Sequence, residues 1–228
     1  MRNMSFFRVS APLIAAVFLS ATIQISAQSS GSSNKSSAAS GHALDSGSVI
    51  NGIYHNRTLG LACKIPEGWV LRTDEMNAAE EESASAAGDT PTQPHASSAG
   101  AKLLLAAFSR PPLAKGDDVN SSILIAAEST AAYPGMTDPA QYFGPLTEVA
   151  KAQGFDVDQD PYEYPIGTKT LVRGDFHKDV GTLVMRQSSL VMLAHGYAVS
   201  ITVIGGTEDE VEELIDGLEF TASKPRTR

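Results

Sequence analysis

The stretch Gly52-Ile-Tyr-His-Asn-Arg-Thr-Leu-Gly-Leu-Ala-Cys-Lys-Ile-Pro-Glu-Gly-Trp69 decides how the chain is read. It predicts a short strand over Ile53–Asn56, a turn at Arg57 and Thr58, and a second strand over 59–65. The second run alternates. Leu59, Leu61, Cys63 and Ile65 share one face, and Gly60, Ala62 and Lys64 share the other, the period of a half-buried strand. Cys63 therefore falls among core-facing hydrophobes, where a thiol behaves as a small apolar group. A nucleophilic cysteine needs a cationic neighbour and some exposure, and Lys64 points the other way. Pro66-Glu67-Gly68 turns the chain. Trp69, the sole tryptophan, opens an extended run to 71 as a core or rim anchor with its N–H directed outward.

Upstream of this stretch the chain changes character. Residues 1–27 have the form of a secretory signal peptide. Arg2 and Arg8 supply the positive start, residues 11–25 an apolar core too short for a comfortable membrane span, and Ala27 a small residue at the cut. Residues 28–48 are Ser, Gly, Ala and Asn with hardly a hydrophobe, His42 among them, and are read as a flexible spacer. The folded domain is expected over 49–221, and 222–228 as a frayed tail. The expected location is secreted or periplasmic, with the membrane touched only through the signal peptide.

The formal net charge is -9, and it becomes -11 without residues 1–27, which remove two arginines and no acid. Such a chain is repelled by nucleic-acid phosphates and anionic lipids, so nucleic acid is excluded as a partner. A single cysteine allows no internal disulfide.

Downstream, a short helix is expected from Asp74 as cap to about Glu82, fading into a disordered insertion over about 77–100 that contains His95. The acids Glu80, Glu81 and Glu82 read as a solvated face. Strands follow over 102–109 and 121–130. Near the end of the second, Glu128 sits in an apolar neighbourhood, where an edge-facing or Arg-paired glutamate is the expected case. A helix is predicted over 138–153. Asp138 caps it, Pro139 takes the first helical position and Gln141 completes a capping box. Phe143, Leu146, Val149 and Ala150 supply its buried stripe, Pro145 should kink it or split off its first turn, and Gly154 ends it.

The acids from Asp156 to Asp160 have the spacing that begins a calcium loop. Pro161 stands where a glycine is needed, and Gly167 where a bidentate glutamate belongs, so an exposed acidic turn is expected and no metal. Strands over 162–166 and 169–176 come next, with Val172 and Phe176 on one face and Arg173 and Asp175 on the other. His177 is placed in a turn. A long strand over 181–193, a tight turn at His195 and Gly196, and a strand over 197–204 complete the sheet. The last helix has a capping box of Thr207 and Glu210 and a stripe of Val211, Leu214, Ile215 and Leu218. Asp209, Glu210, Glu212, Glu213 and Asp216 form its wet face, and Phe220 closes the core.

The expected class is α+β, one antiparallel sheet flanked by helices as an α/β/α sandwich. Gly52-x-Tyr54-x-Asn56, then Gly60-Leu61-x-x-Lys64-Ile65-Pro66-x-Gly68-Trp69, the strand start at Gly196-Tyr197 and the closing helix together resemble the Mog1/PsbP-like superfamily. That superfamily includes many exported bacterial proteins of unknown function. The resemblance covers about residues 49–221 in outline and implies a single non-enzymatic domain that binds or assembles. Its photosystem and GTPase-partner branches do not transfer, and it supplies no catalytic residues.

Three functions follow as expectations. The first is a binding or assembly module of the cell envelope with an unnamed envelope or secreted protein partner. It uses no cofactor, and the chain lacks a nucleophile elbow, phosphate loop or His-x-x-x-His pair. The second is a small-ligand carrier with a cleft between sheet and helix. The third is a hydrolase with a site converging from Glu128, Arg173, Asp175 and His177.

Overall fold

The computed structural model describes residues 44–86, 101–111 and 114–221. Residues 1–27, expected as a signal peptide, His42, His95 and the tail after Thr221 lie outside the described residues, as does the 87–100 part of the insertion expected over about 77–100. The described residues form twelve strands and three α-helices, and every strand pairing is antiparallel. The α+β class holds.

The strands form two sheets, not one. β1 (Ser48–Ile50), β2 (Ile53–Asn56), β3 (Leu61–Lys64) and β12 (Leu218–Phe220) make a small sheet in the order β1-β2-β3-β12. The large sheet contains β4 (Val70–Leu71), β5 (Ala101–Phe108), β6 (Ser122–Ser129), β7 (Asp156–Val157), β8 (Tyr162–Ile166), β9 (Lys169–Val180), β10 (Leu183–Ala194) and β11 (Tyr197–Gly205). Its order is β4-β5-β6-β11-β10-β9-β7, with β8 also on β9. The Pro66-Glu67-Gly68 turn carries the chain out of the first sheet and onto the edge of the second. Alternation identifies strands such as β3, but long-range packing chooses their partners and makes strands of β1, β7 and β12, where none was expected. Leu218 shows the difference. It sits at helical spacing after Ile215, yet it pairs with Cys63 as the first residue of β12.

The main core lies between one face of the large sheet, the small sheet and the helix α3 (Glu208–Asp216). Leu61, Cys63 and Phe220 meet Leu105, Ile125, Val199, Ile201 and Val203 there, under Val211, Leu214 and Ile215. The predicted face of the second hairpin strand is correct: Leu59, Leu61, Cys63 and Ile65 are all buried. On the other face of the large sheet, α2 (Phe143–Ala152) packs Phe143 and Ala150 against Val172, Phe176 and Val191. α1 (Thr73–Ala86) sets Met76 against Leu103, Ala106 and Leu124. Phe143 lies directly on β9, where a Cβ at Gly174 would come within 2.5 Å of its ring.

The helices depart from expectation at their ends. α1 starts at Thr73, so Asp74 lies in its first turn rather than capping it, still where a negative charge suits the helix dipole. It also runs on through 77–86, inside the segment expected to be disordered. The reason is an unfinished sheet edge. Asn77 donates to the Leu103 carbonyl at 3.0 Å and accepts from the Leu103 N–H at 3.2 Å. Thr73, one turn earlier, accepts from the Ala106 N–H at 2.9 Å. Two side chains thus stand in for a neighbouring strand beside β5.

The predicted helix over 138–153 divides as Pro145 requires. A 3-10 turn over Pro139–Tyr142 carries the complete Asp138–Gln141 capping box, and α2 follows it. At α3, Thr207 accepts from the Glu210 N–H at 3.1 Å, but Glu210 reaches one residue further back, to the Gly206 N–H at 2.8 Å, and also takes the Ser121 hydroxyl at 2.5 Å.

The ordered chain begins before residue 49. Leu44 is buried in the main core. The Tyr54 hydroxyl donates to the Ser46 carbonyl at 2.9 Å, and the Asn56 amide donates to the Asp45 carbonyl at 2.7 Å. Residues 44–48 of the expected spacer therefore belong to the domain, fixed by one leucine and two polar side chains that a composition reading averages away.

Candidate functional site

The stretch quoted first builds an open groove on the surface. Asn51 and Gly52 form a two-residue turn with φ of 51° and 75°. That is the left-handed pair that the natural twist of a hairpin selects, and asparagine followed by glycine reaches it most readily. The Ile65 N–H then donates to the Gly52 carbonyl at 2.8 Å, tying this turn to the end of β3. Pro66, Glu67 and Gly68 reverse the chain, with the Trp69 N–H on the Pro66 carbonyl at 3.3 Å.

Between these two turns lies a groove of about 550 Å³, lined by Val49, Ile53, Lys64, Ile65, Trp69 and Leu71 among others. Trp69 is half-buried and packs on the main core. Val49 and Leu71 in the groove lining and Ile50, beside Val49 in the chain, are 38, 46 and 56% exposed, three of the four large hydrophobic residues exposed among those described. The groove lies between the turns of the two sheets, not between sheet and helix as a carrier cleft was expected to.

The four residues of the hydrolase reading separate. By strand register Glu128 shares its face with Ala198, and Arg173 shares the opposite face with Leu190. Glu128 is buried and is not paired with arginine. It accepts from Tyr133 at 3.0 Å and from Tyr142 at 2.7 Å, and the two rings meet edge to face at 5.9 Å. Burial, then the neighbouring carboxylate, pushes the Tyr133 hydroxyl up to about 12 and Tyr142 higher still. These phenols stay protonated donors, and the arrangement clamps the 130–142 segment onto the sheet.

Arg173 and Asp175 do come together, as their shared face predicts. Arg173 Nε donates to Asp175 at 2.9 Å, while its Nη2 donates to Glu212 of α3 at 2.5 Å and to Ser188 at 3.0 Å. Its guanidinium lies 4.9 Å from the centre of the Tyr164 ring. Asp175 also accepts from Ser188 and, at 2.9 Å, from Tyr162. Burial alone would raise the Asp175 pKa, but bonds from Ser188, Arg173 and Tyr162 hold it below the usual carboxylate range. Burial alone would lower Arg173, and the Glu212 and Asp175 bonds outweigh it. One guanidinium is shared by two carboxylates, so the cluster acts as an internal clamp between β9, β10 and α3. Glu212, expected on the wet face, is its outer member.

His177 is not in a turn. β9 continues to Val180, and the reversal falls at Gly181, with φ of 65°. His177 Nδ1 lies 2.5 Å from Asp158 Oδ1, and no bond among the described residues joins that pair to Arg173 or Glu128. Asp158 is thus drawn out of the acidic run from Asp156 to Asp160, which lies along β9. No three His, Cys, Asp or Glu among the described residues group to hold a metal ion. Cys63 is fully buried, as read, and burial pushes its thiol up to about 12.

The fold is therefore an α+β domain of two antiparallel sheets, with an open apolar groove where their turns meet. No family model and no curated protein matches the chain. Solved structures similar to it include LpqN of Mycobacterium tuberculosis, described as involved in cell envelope biogenesis (14% identity, TM-score 0.34, 71% of this chain and 83% of that one). The Ran-binding protein Mog1p of Saccharomyces cerevisiae is similar at 14% identity and TM-score 0.35, over 72% of this chain and 81% of that one. A Bacteroides thetaiotaomicron protein is similar at 14% identity and TM-score 0.37, over 71% and 45%. Mog1 is the fold type that the opening stretch resembles. At these scores none of the three carries its binding or its role over to this chain.

Proposed function

We propose that this is an exported, non-catalytic binding module of the cell envelope, and that it engages a protein partner through the groove beside Trp69. The observation that carries the reading is the concentration of exposed apolar side chains there. Exposed Val49 and Leu71 line an open groove together with half-buried Trp69, and exposed Ile50 stands next to Asn51 at its rim. An acidic, otherwise polar-surfaced domain holds such a patch in water at a cost unless something covers it. Export rests on the form of residues 1–27. The layered α/β/α arrangement belongs to the same reading, with α1 and α2 packed on one face of the large sheet and α3 on the other.

The test compares capture from envelope extract by the intact protein and by Leu71→Glu, an exposed substitution that leaves the core alone. A protein enriched by the first and lost by the second, at equal thermal stability, supports the reading. Equal capture by both, or none by either, overturns it.

A further inference from the structure

The chemistry of the partner can be read from the strand beside the groove. β1 is an outer strand of the small sheet, and Ser48, Val49 and Ile50 are all exposed. The Asn51-Gly52 turn is two residues long, so Ile50 and Ile53 are the hydrogen-bonded pair that closes the hairpin. Val49 and Tyr54 are then the next, non-hydrogen-bonded pair, and the Val49 N–H and C=O point away from β2. No backbone or side-chain group among the described residues bonds them.

Two other edges are treated differently. The edge of β5 is closed by Thr73 and Asn77, and at β12 the Phe220 carbonyl accepts from the Thr168 hydroxyl at 3.4 Å. β1 carries no charge, no proline and no bulge, the usual means by which a sheet edge is kept from pairing. Its exposed Val49 lines the groove instead.

We infer that β1 accepts an extended segment of the partner protein as an additional edge strand, with alternate side chains of that segment entering the groove beside Trp69. This rests on the groove reading above and adds the form and charge of the occupant. Charge decides against a second copy of this chain. With a net charge of -9, two copies bring like charges together, whereas a segment with lysine or arginine flanking its apolar residues is drawn in. Within the groove itself Lys64 and Glu67 offset one another, which leaves the pairing stretch of the partner free to be apolar.

The probe is a synthetic heptapeptide, acetyl-Lys-Val-Thr-Val-Thr-Val-Lys-amide, titrated into the intact protein and followed by amide shifts and the Trp69 indole signal. The expected result is saturable change at Ser48–Ile50 and Trp69. Val49→Pro, which removes the outward N–H and also exchanges one groove-lining side chain, should weaken binding at least tenfold. N-methylation of the central valine of the peptide should do the same without touching the fold. Replacing both lysines of the peptide by glutamate should weaken binding several-fold and should make it less sensitive to salt.

Absence of binding, or binding indifferent to both Val49→Pro and N-methylation, overturns strand addition. The groove reading survives that outcome if capture from extract remains sensitive to Leu71→Glu, so the two failures are distinct. A dimer that is broken by Val49→Pro and excludes the peptide overturns the proposal in favour of a second copy. Peptide binding appearing only after truncation of residues before 44 overturns it in favour of the chain's own segment.

Discussion

At the scale of single residues, the sequence was most legible where burial alone decides the outcome. Cys63 follows from alternation, and it is buried beside Tyr54 and Leu218 with a thiol raised to about 12. The native protein should therefore react with a thiol reagent at pH 8 only as fast as it opens, and at once in denaturant. Rapid labelling of the folded protein would contradict the packing role.

Asp175 was legible as a face-mate of Arg173, but Glu212 was not, because it arrives on a helix 39 residues from Arg173 in sequence. Asp175 titrates below the ordinary aspartate value of about 3.9. Its contribution is therefore complete above that value and is lost as pH falls through the lower folded pKa. Asp175→Asn should cost about 3 kcal/mol near neutral pH, because Arg173 keeps only half-exposed Glu212 as a counter-charge. It should also flatten the loss of stability below about pH 4. Chemical denaturation across that range measures both. A variant as stable as the parent would show the clamp to be dispensable. Glu128 misleads a sequence reader for the same reason as Glu212. Its tyrosine partners become neighbours only when the 130–142 segment folds back over the sheet.

At the scale of elements, caps and alternation were informative because they are local. The Asp138 box, the Pro145 break and the His195-Gly196 turn all stand where the residues place them, the last with φ of 54° and 82°. Elements defined by remote partners were hidden. β12 continues a helical spacing and becomes a strand only because β3 needs a neighbour. α1 extends into an Ala- and Ser-rich run because Thr73 and Asn77 finish the edge of β5.

Asn77→Ala removes both bonds to Leu103 while leaving helix propensity intact. It should cost about 1–2 kcal/mol, with faster hydrogen exchange at Leu103 than at Leu105. Unchanged exchange at Leu103 would mean that α1 does not protect this edge.

At the scale of the whole molecule, two sheets share one core, and the turns that leave and enter them frame a groove. Strand presence could be read from period two, but the groove could not, since it exists only once Asn51-Gly52 and Pro66-Glu67-Gly68 are brought side by side. The polar clusters at Glu128 and Arg173 lie on opposite faces of the large sheet and make their hydrogen bonds internally. The groove is the surface where we propose recognition.

The most direct measurement is site-specific photocrosslinking in the producing cells, with a photoreactive residue at Leu71 and, as control, at Glu213 on the wet face of α3. The account predicts a discrete adduct from position 71 that disappears when Val49→Pro is added, and none from position 213. An adduct from position 213 with none from position 71 would contradict it.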